Sequence, residues 1–494
     1  DSSNKKKEKN LIATVKKAKS TSTNFKYIET PKKKRKQKVD ITTKQNIQNS
    51  DNNFKKIEEV KGLDIKLNEL TMDNRKEQPD NNYGIVGMVS EGKSTLTLAV
   101  TGQATQRSKK EMERNITMKI GYADTKIWQK DGIFVSKGFN SNLIDEVGDY
   151  DLVNHISIVD CPGHMDLISM MISSVRLMNG VIVVVSAEGE LSKKVSLIQH
   201  LRAVKLSGIK NIIVCLNKID LIRDDKEKIK NKYKELKKFL EDMEIEISHP
   251  IIPTVFQQKI GTDLLLNAIK NVCGTEKEDE EDKYFLSNRS FVVNKPGSNY
   301  EKIVGACIGG SLIGGELCVG DEIEVRPGLG GVKDKDGNLI PYTPIRTKIE
   351  SLRYGNINLN KIVPGGLISI GTGLVPSIGA DDFLAGKLVG KVGNLPGVYK
   401  KLCVSNIVTN IFGFEWTPSL EGNQKKVSIQ FENQIIRSIL KSINGDDENK
   451  EYVFDLEKPM CIREDKRVIF IKPKGNEILA YGTFVKGEGE LEND

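Results

Sequence analysis

The chain has 494 residues, 29% of them charged and 38% hydrophobic, with a formal net charge of +8. That length suits about three domains. No apolar run reaches the ~18–20 residues that cross a bilayer, which excludes a helical membrane protein and predicts no membrane partner. Residues 1–40 hold 14 Lys/Arg against 4 Asp/Glu, so the positive charge belongs to a tail and the rest of the chain sums slightly negative. The seven cysteines are scattered and form no C-x-x-C pair. With no secretory leader pattern at the start, they predict reduced thiols in a cytoplasmic protein and argue against a zinc ribbon.

Residues 1–80 are rich in Lys, Asn, Ser and Thr and poor in aromatics, a composition expected to form a disordered basic extension. Within it, "PKKKRKQKV" (31–39) reads either as a basic import signal or as a solvated lysine run that meets RNA phosphates nonspecifically. From residue 81 to 275 the texture is different. Apolar, β-branched runs such as "YGIVGMV", "ISIVD", "GVIVVVSA", "NIIVCLN" and "PIIPTV" alternate with helical patterns such as "KEKIKNKYKELKKFLEDMEI". That alternation predicts a mostly parallel, doubly wound α/β sheet. The acidic stretch around "TEKEDEEDK" reads as a linker, placed at 276–288. After it helices vanish. Short strands punctuated by Gly and Pro predict a β-barrel over 289–393 and a second over 394–494.

Three motifs follow strands, in order. The first lies in "GIVGMVSEGKST" (84–95), with the G-x-x-x-x-G-K-S spacing of a phosphate-binding loop. Backbone N–H groups over Val89, Ser90, Glu91, Gly92, Lys93, Ser94 and Thr95 can approach phosphate oxygens, and the next helix N-terminus adds positive potential. Lys93 is expected to reach the β/γ-phosphates and Ser94 to ligate Mg²⁺. Glu91 is out of character beside phosphates; since the loop works through its backbone, its side chain is expected to point outward. The second motif is "VDCPGH". Asp160 is expected near Mg²⁺, the Gly163 N–H at a γ-phosphate, and His164 where it can orient the attacking water. The third is "NKID". An Asp220 carboxylate accepts from the N1–H and 2-amino group of guanine, which adenine lacks, while Asn217 meets another edge and the Lys218 stem covers its face, with Ile219 in the same nucleotide-binding string. Between the first two motifs, Thr117 in "ERNITMKIGYA" (113–123) is expected to complete the Mg²⁺ shell only when a γ-phosphate is present, and Val89 with Ile116 to gate the water.

These strings resemble translational GTPases, and above all the gamma-subunit family of eukaryotic and archaeal translation initiation factor 2. The similarity spans about residues 81–490 and is most particular in "ERNITMKIGYA", "VDCPGH", "RSFVVNKPG", "GDEIEVRPG" and "VPGGLISIGTG". The resemblance implies a P-loop GTPase domain followed by two β-barrels. It implies GTP/GDP and Mg²⁺ as ligands, and hydrolysis of GTP as a release switch. The implied partners are initiator methionyl-tRNA, alpha and beta subunits, the small ribosomal subunit, and GTPase-activating and nucleotide-exchange factors. It also implies that Asn115 and Tyr122 lie near the tRNA acceptor end. There are departures. The family's usual loop histidines are replaced by Met88 and Glu91. Its Ser-Ala string, where a backbone N–H meets guanine O6, reads "PTVFQQK", which moves that role to Val255, Phe256 and Gln257. The segment "KIWQKDGIFVSKGFNSN", where many members carry a zinc knuckle, has no cysteine, so no zinc is expected. An elongation-type or selenocysteine-specific GTPase, and a non-hydrolysing tRNA or subunit scaffold, stand as alternatives.

Overall fold

The computed structural model describes residues 77–105, 120–140, 150–272 and 282–491, with short breaks at 165–166, 192–193, 295–296, 298–302, 332–339, 410–415, 447–449 and 474–476. The basic extension up to residue 76, Asn115, Ile116, Thr117 and most of the acidic stretch lie outside the described residues.

The first domain is built on β1 (Asn81–Val86), α1 (Lys93–Thr101), β2 (Gly121–Lys130), β3 (Ile133–Ser136), β4 (Asp151–Asp160), α2 (Ile168–Val175), β5 (Gly180–Ser186), α3 (Val195–Leu206), β6 (Asn211–Asn217), α4 (Lys226–Asp242), β7 (Ile252–Pro253) and α5 (Thr262–Val272). The sheet order is β3-β2-β4-β1-β5-β6-β7. β4, β1, β5, β6 and β7 run parallel, and the β2–β3 hairpin is antiparallel at one edge. Both faces are covered, which is why the strands read as unbroken apolar runs rather than alternating ones. Along β5, Val181, Val183 and Val185 enter one core with α2, α3 and α4, while Ile182 and Val184 enter the other with α1 and α5. The amphipathic α4 starts where the Asp225 side chain accepts from the Lys228 N–H at 2.9 Å, an N-cap that satisfies one orphan donor. The expected strand "PIIPTV" shrinks to two residues. The segment without cysteines folds as the β2–β3 hairpin, turned by Asp131 and Gly132 at positive φ.

β8 begins at Phe285, inside the stretch expected to be a linker. β8 (Phe285–Phe291), β9 (Cys307–Leu312), β10 (Glu322–Leu329), β11 (Thr343–Tyr354), β12 (Ile368–Thr372) and β13 (Lys387–Lys391) close into a barrel in the order β10-β13-β8-β9-β12-β11, with β11 pairing back to β10. β14 (Val398–Val408), β17 (Glu451–Cys461), β16 (Gln434–Asn444), β15 (Lys426–Phe431), β18 (Arg467–Ile471) and β19 (Ile478–Leu491) close the second barrel in that order. Closure leaves no long strand edge exposed.

The first barrel docks on the strand ends of the sheet through several side-chain contacts. The Gln78 amide donates to the carbonyls of Val363 and Gly365, and Asn82 donates to the Ser311 hydroxyl at 3.1 Å. Tyr354 stacks edge-on against His155, ring centroids 5.5 Å apart. The "VPGG" string is explained here: Gly365 has φ +115, and a Cβ on it would sit 2.5 Å from the Pro79 carbonyl oxygen. The second barrel docks on α2 and α3. Arg176 makes a two-pronged ion pair with Glu432 at 2.9 and 3.0 Å, and Tyr284 donates to the same carboxylate.

Candidate guanine-nucleotide site

The site forms at the C-terminal ends of the parallel strands, where loops leave β1, β4, β5 and β6. The phosphate loop turns directly out of β1. Ser90 and Gly92 adopt left-handed backbone conformations, which curl the loop into the kind of turn whose N–H groups can converge on an anion. Lys93 opens α1 and is buried; its ammonium donates to the Met88 carbonyl at 2.7 Å, folding the side chain over the loop. Burial lowers the Lys93 pKa, opposed by the charge of Asp160. An ammonium desolvated in this way is poised for a stronger anion than a carbonyl oxygen.

Ser94 donates to Asp160 Oδ2 at 2.9 Å, and Thr105 donates to the same oxygen at 2.5 Å. Asp160 is fully buried at the end of β4. A hydroxyl and a carboxylate facing each other at the mouth of a phosphate loop are hard oxygen donors that suit Mg²⁺. Gly163 packs onto the loop itself: a Cβ there would collide with Lys93 Nζ and stand 2.7 Å from Met88 C and Val89 N. Only glycine lets the two phosphate-facing segments come this close. His164, next in the chain, is exposed on the open side. Behind it the turn is held in place. Ser196 donates to the Gly163 carbonyl at 2.9 Å, and His200 Nε2 lies 3.3 Å from the Pro162 carbonyl. A carbonyl only accepts, so Nε2 carries the proton. Burial, helped by the charge of Lys93, pushes the His200 pKa down to about 4, which keeps the ring neutral.

At the other end, Asn217 ties the loops together. Its Nδ2 donates to the Glu91 carbonyl at 2.8 Å, and its Oδ1 accepts from the Phe256 N–H at 3.2 Å and the Thr254 hydroxyl at 3.4 Å. Lys218 is left-handed (φ 60) and starts a short 3₁₀ turn, Ile219–Ile222, that carries Asp220. Asp220 Oδ1 is shut off from solvent and has no hydrogen-bond donor within the protein among the described residues. A buried acceptor left so costs about 1–3 kcal/mol, which the N–H edge of guanine would remove. The Val255 and Phe256 side chains are buried in the domain rather than free to meet a base, and Gln257 is exposed. Val255 N–H pairs with the Ile260 carbonyl at 3.1 Å.

One expectation changes. Glu91 does not point outward. It is 5% exposed, and its carboxylate turns back under the loop to accept from Lys194 Nζ at 2.7 Å and from the Ser186 N–H. A fixed cation and a backbone donor inside the domain hold it better than water would. The Tyr122 hydroxyl meets the Asn288 side-chain amide on the first barrel, and burial raises its pKa, so it is an inter-domain contact in this structure. Thr105, Lys194, Ser196 and His200 were not singled out for the site by sequence reasoning. They lie up to about a hundred residues from the motifs they support, and no spacing marks them.

Residues 78–275 match the Elongation factor Tu GTP binding domain family. Over 405 residues the chain is 36% identical to translation initiation factor 2 subunit gamma of Pyrococcus furiosus, covering 81% of this chain and 96% of that protein. The chain belongs to the translation initiation factor 2 gamma-subunit family. The subunit from Methanocaldococcus jannaschii is 34% identical with the same coverage. The elongation factor SelB of Methanococcus maripaludis, solved with a GTP analogue, shares the fold at a TM-score of 0.61 and 20% identity, covering 84% of this chain and 81% of that one. As a gamma-family chain the protein is a GTPase of translation initiation. Among its described residues no helix is long and apolar enough to cross a membrane.

Proposed function

We propose that this gamma-family chain, in its GTP form, binds methionylated initiator tRNA and delivers it to the small ribosomal subunit in the cytoplasm, and that GTP hydrolysis triggers release. The observation that supports this best is that the similarity to the initiation-factor relatives runs through both barrels and not only the nucleotide domain. The relatives are named as a gamma subunit, which supports assembly with alpha and beta partners and action with GTPase-activating and exchange factors.

In this reading the loop from Val89 to Thr95 and Lys93 hold the β- and γ-phosphates, and Asp220 selects guanine. Ser94 and Asp160 would hold Mg²⁺, with Thr117 joining them in the GTP form; bound there, Mg²⁺ neutralises charge on the phosphate oxygens. The Gly163 N–H reports the γ-phosphate, and His164 orients the attacking water. Asn115 would contact the tRNA acceptor end, with Tyr122 supporting that surface from the domain junction.

The test is equilibrium binding of GTP, GDP and ATP, then of initiator methionyl-tRNA in each state. GTP and GDP should bind, ATP should not, and initiator tRNA should prefer the GTP form several-fold or more. Equal tRNA affinity in all states, or preference for elongator or selenocysteinyl tRNA, would overturn the delivery role. No turnover even with partners present would favour the scaffold alternative.

A further inference from the structure

The phosphate loop of this chain carries a carboxylate where a negative charge should weaken phosphate binding. Glu91 lies inside the loop, between the backbone groups of Ser90 and Gly92. Its side chain forms a buried ion pair with Lys194: the ammonium donates to Glu91 Oε1 at 2.7 Å, and the two side chains are 7% and 8% exposed. Lys194 Nζ also donates to the Ser186 carbonyl at 3.2 Å, while the Ser186 N–H donates to Glu91 Oε2. The carboxylate is thus closed into a ring of three residues at the end of β5, and the Glu91 carbonyl is held from the other side by Asn217.

Lys194 is also the residue that precedes α3. Two and six residues later, Ser196 and His200 grip the carbonyls of Gly163 and Pro162, the turn whose N–H faces a γ-phosphate. One short stretch, Lys194 to His200, therefore holds both the loop that cradles the phosphates and the turn that reads the last of them. Resting on the guanine-nucleotide reading above, we infer that Lys194 is a positioning residue of this site: it is the counter-ion that lets the phosphate loop carry Glu91, and through that pair it sets the preference for GTP over GDP.

The physical argument is a charge count. With Lys194 present, Glu91 is neutralised at source and the nucleotide meets a dipole rather than a net charge. Without Lys194, a desolvated carboxylate stands within the phosphate loop, and repulsion grows with each phosphate charge. GTP brings one phosphate more than GDP, so its affinity falls further. Without Glu91, Lys194 is left as net positive charge near the phosphates, and the ratio moves the other way. A pair that only braced the fold would change both affinities in parallel.

The experiment measures GTP and GDP affinities of the full chain with fluorescent nucleotides for the parent, Lys194→Met, Glu91→Gln and the double variant, with thermal melting to confirm folding. Lys194→Met should weaken GDP about tenfold and GTP by a further threefold or more. Glu91→Gln should shift the GTP:GDP ratio in the opposite direction. The double variant should return the ratio to within about twofold of the parent. If Lys194→Met does not fold, the ratio in Glu91→Gln still decides the matter. An unchanged GTP:GDP ratio in the single variants that fold overturns the inference. A parent that binds ATP as well as GTP overturns the guanine reading alone, since the triphosphate-to-diphosphate ratio of the variants still reports on Lys194. A parent that binds no nucleotide overturns both.

Discussion

The two ends of the nucleotide site are built from different chemistry. The phosphate end is a set of buried charges in tight balance: Lys93 over Met88, Asp160 with Ser94 and Thr105, and Glu91 with Lys194. The base end is held by neutral hydrogen bonds from Asn217, Thr254 and the Phe256 backbone, and keeps one buried acceptor, Asp220 Oδ1, without a protein donor among the described residues. Charges act over distance and sum, which suits the phosphate end to sensing how much negative charge arrives. Its support helix α3 reaches the second barrel, where Gln199 accepts from the Ile478 N–H and the Leu206 carbonyl accepts from Arg467, both at 3.2 Å. Hydrogen bonds are short-ranged and directional, which suits the base end to reading shape and donor pattern.

The sharpest break of this contrast is Asp220→Asn. An amide offers a donor where guanine has donors, so preference for GTP over xanthosine triphosphate should fall by about 10³-fold, with hydrolysis of bound nucleotide little changed. Competition binding reads it, and a variant that still prefers GTP would show that the base end lies elsewhere. Next is His164→Ala. Partner-stimulated hydrolysis should drop by roughly 10²-fold, the scale of losing a positioned catalytic group. GTP affinity should stay within a few-fold, because an exposed side chain beyond Gly163 meets water rather than nucleotide. Single-turnover assays separate the two quantities.

A smaller effect concerns His200. Its folded pKa, about 4, lies below the ordinary histidine value of 6.5. The unfolded chain therefore takes up the proton first as pH falls. The associated stability is complete above about pH 6.5 and is lost progressively towards pH 4. Between pH 7 and pH 5 that is about 2 kcal/mol. Melting curves of the parent should fall over this window more steeply than those of His200→Asn; parallel curves would remove His200 from the support of the Pro162–Gly163 turn. The smallest expected change is from Thr105→Val, which keeps the volume and deletes one hydrogen bond to a charged oxygen. Mg²⁺-dependent GDP affinity should fall about tenfold while affinity without Mg²⁺ holds. Equal loss in both conditions would show that Thr105 braces the loop and not the cation site.

Much of this was legible before any fold was drawn. The loop glycines, Lys93, Ser94, Asp160, Gly163, Asn217 and Asp220 sit at strand ends with motif spacing, where each can present one group to one part of a nucleotide. The alternation of β-branched runs with amphipathic helices specified a doubly wound sheet, and the Gly- and Pro-punctuated strands specified barrels. Spacing along the chain encodes chemistry when a single turn supplies it, so these features survive reading one residue at a time.

What only the tertiary structure decided is how those turns are held. Glu91 reads as an intruder until Lys194, 103 positions away, is brought beneath it by the β5–α3 crossover. His200 reads as an ordinary core histidine until α3 sets it against Pro162. Nothing along the chain connects Tyr122 with Asn288, which the first barrel brings to its hydroxyl. In each case a group's charge, tautomer or exposure depends on its surroundings, and those belong to residues that no local pattern connects. Sequence spacing carries what one turn can do; burial and pairing, which set the energies of charged and polar groups, exist only once distant segments have packed.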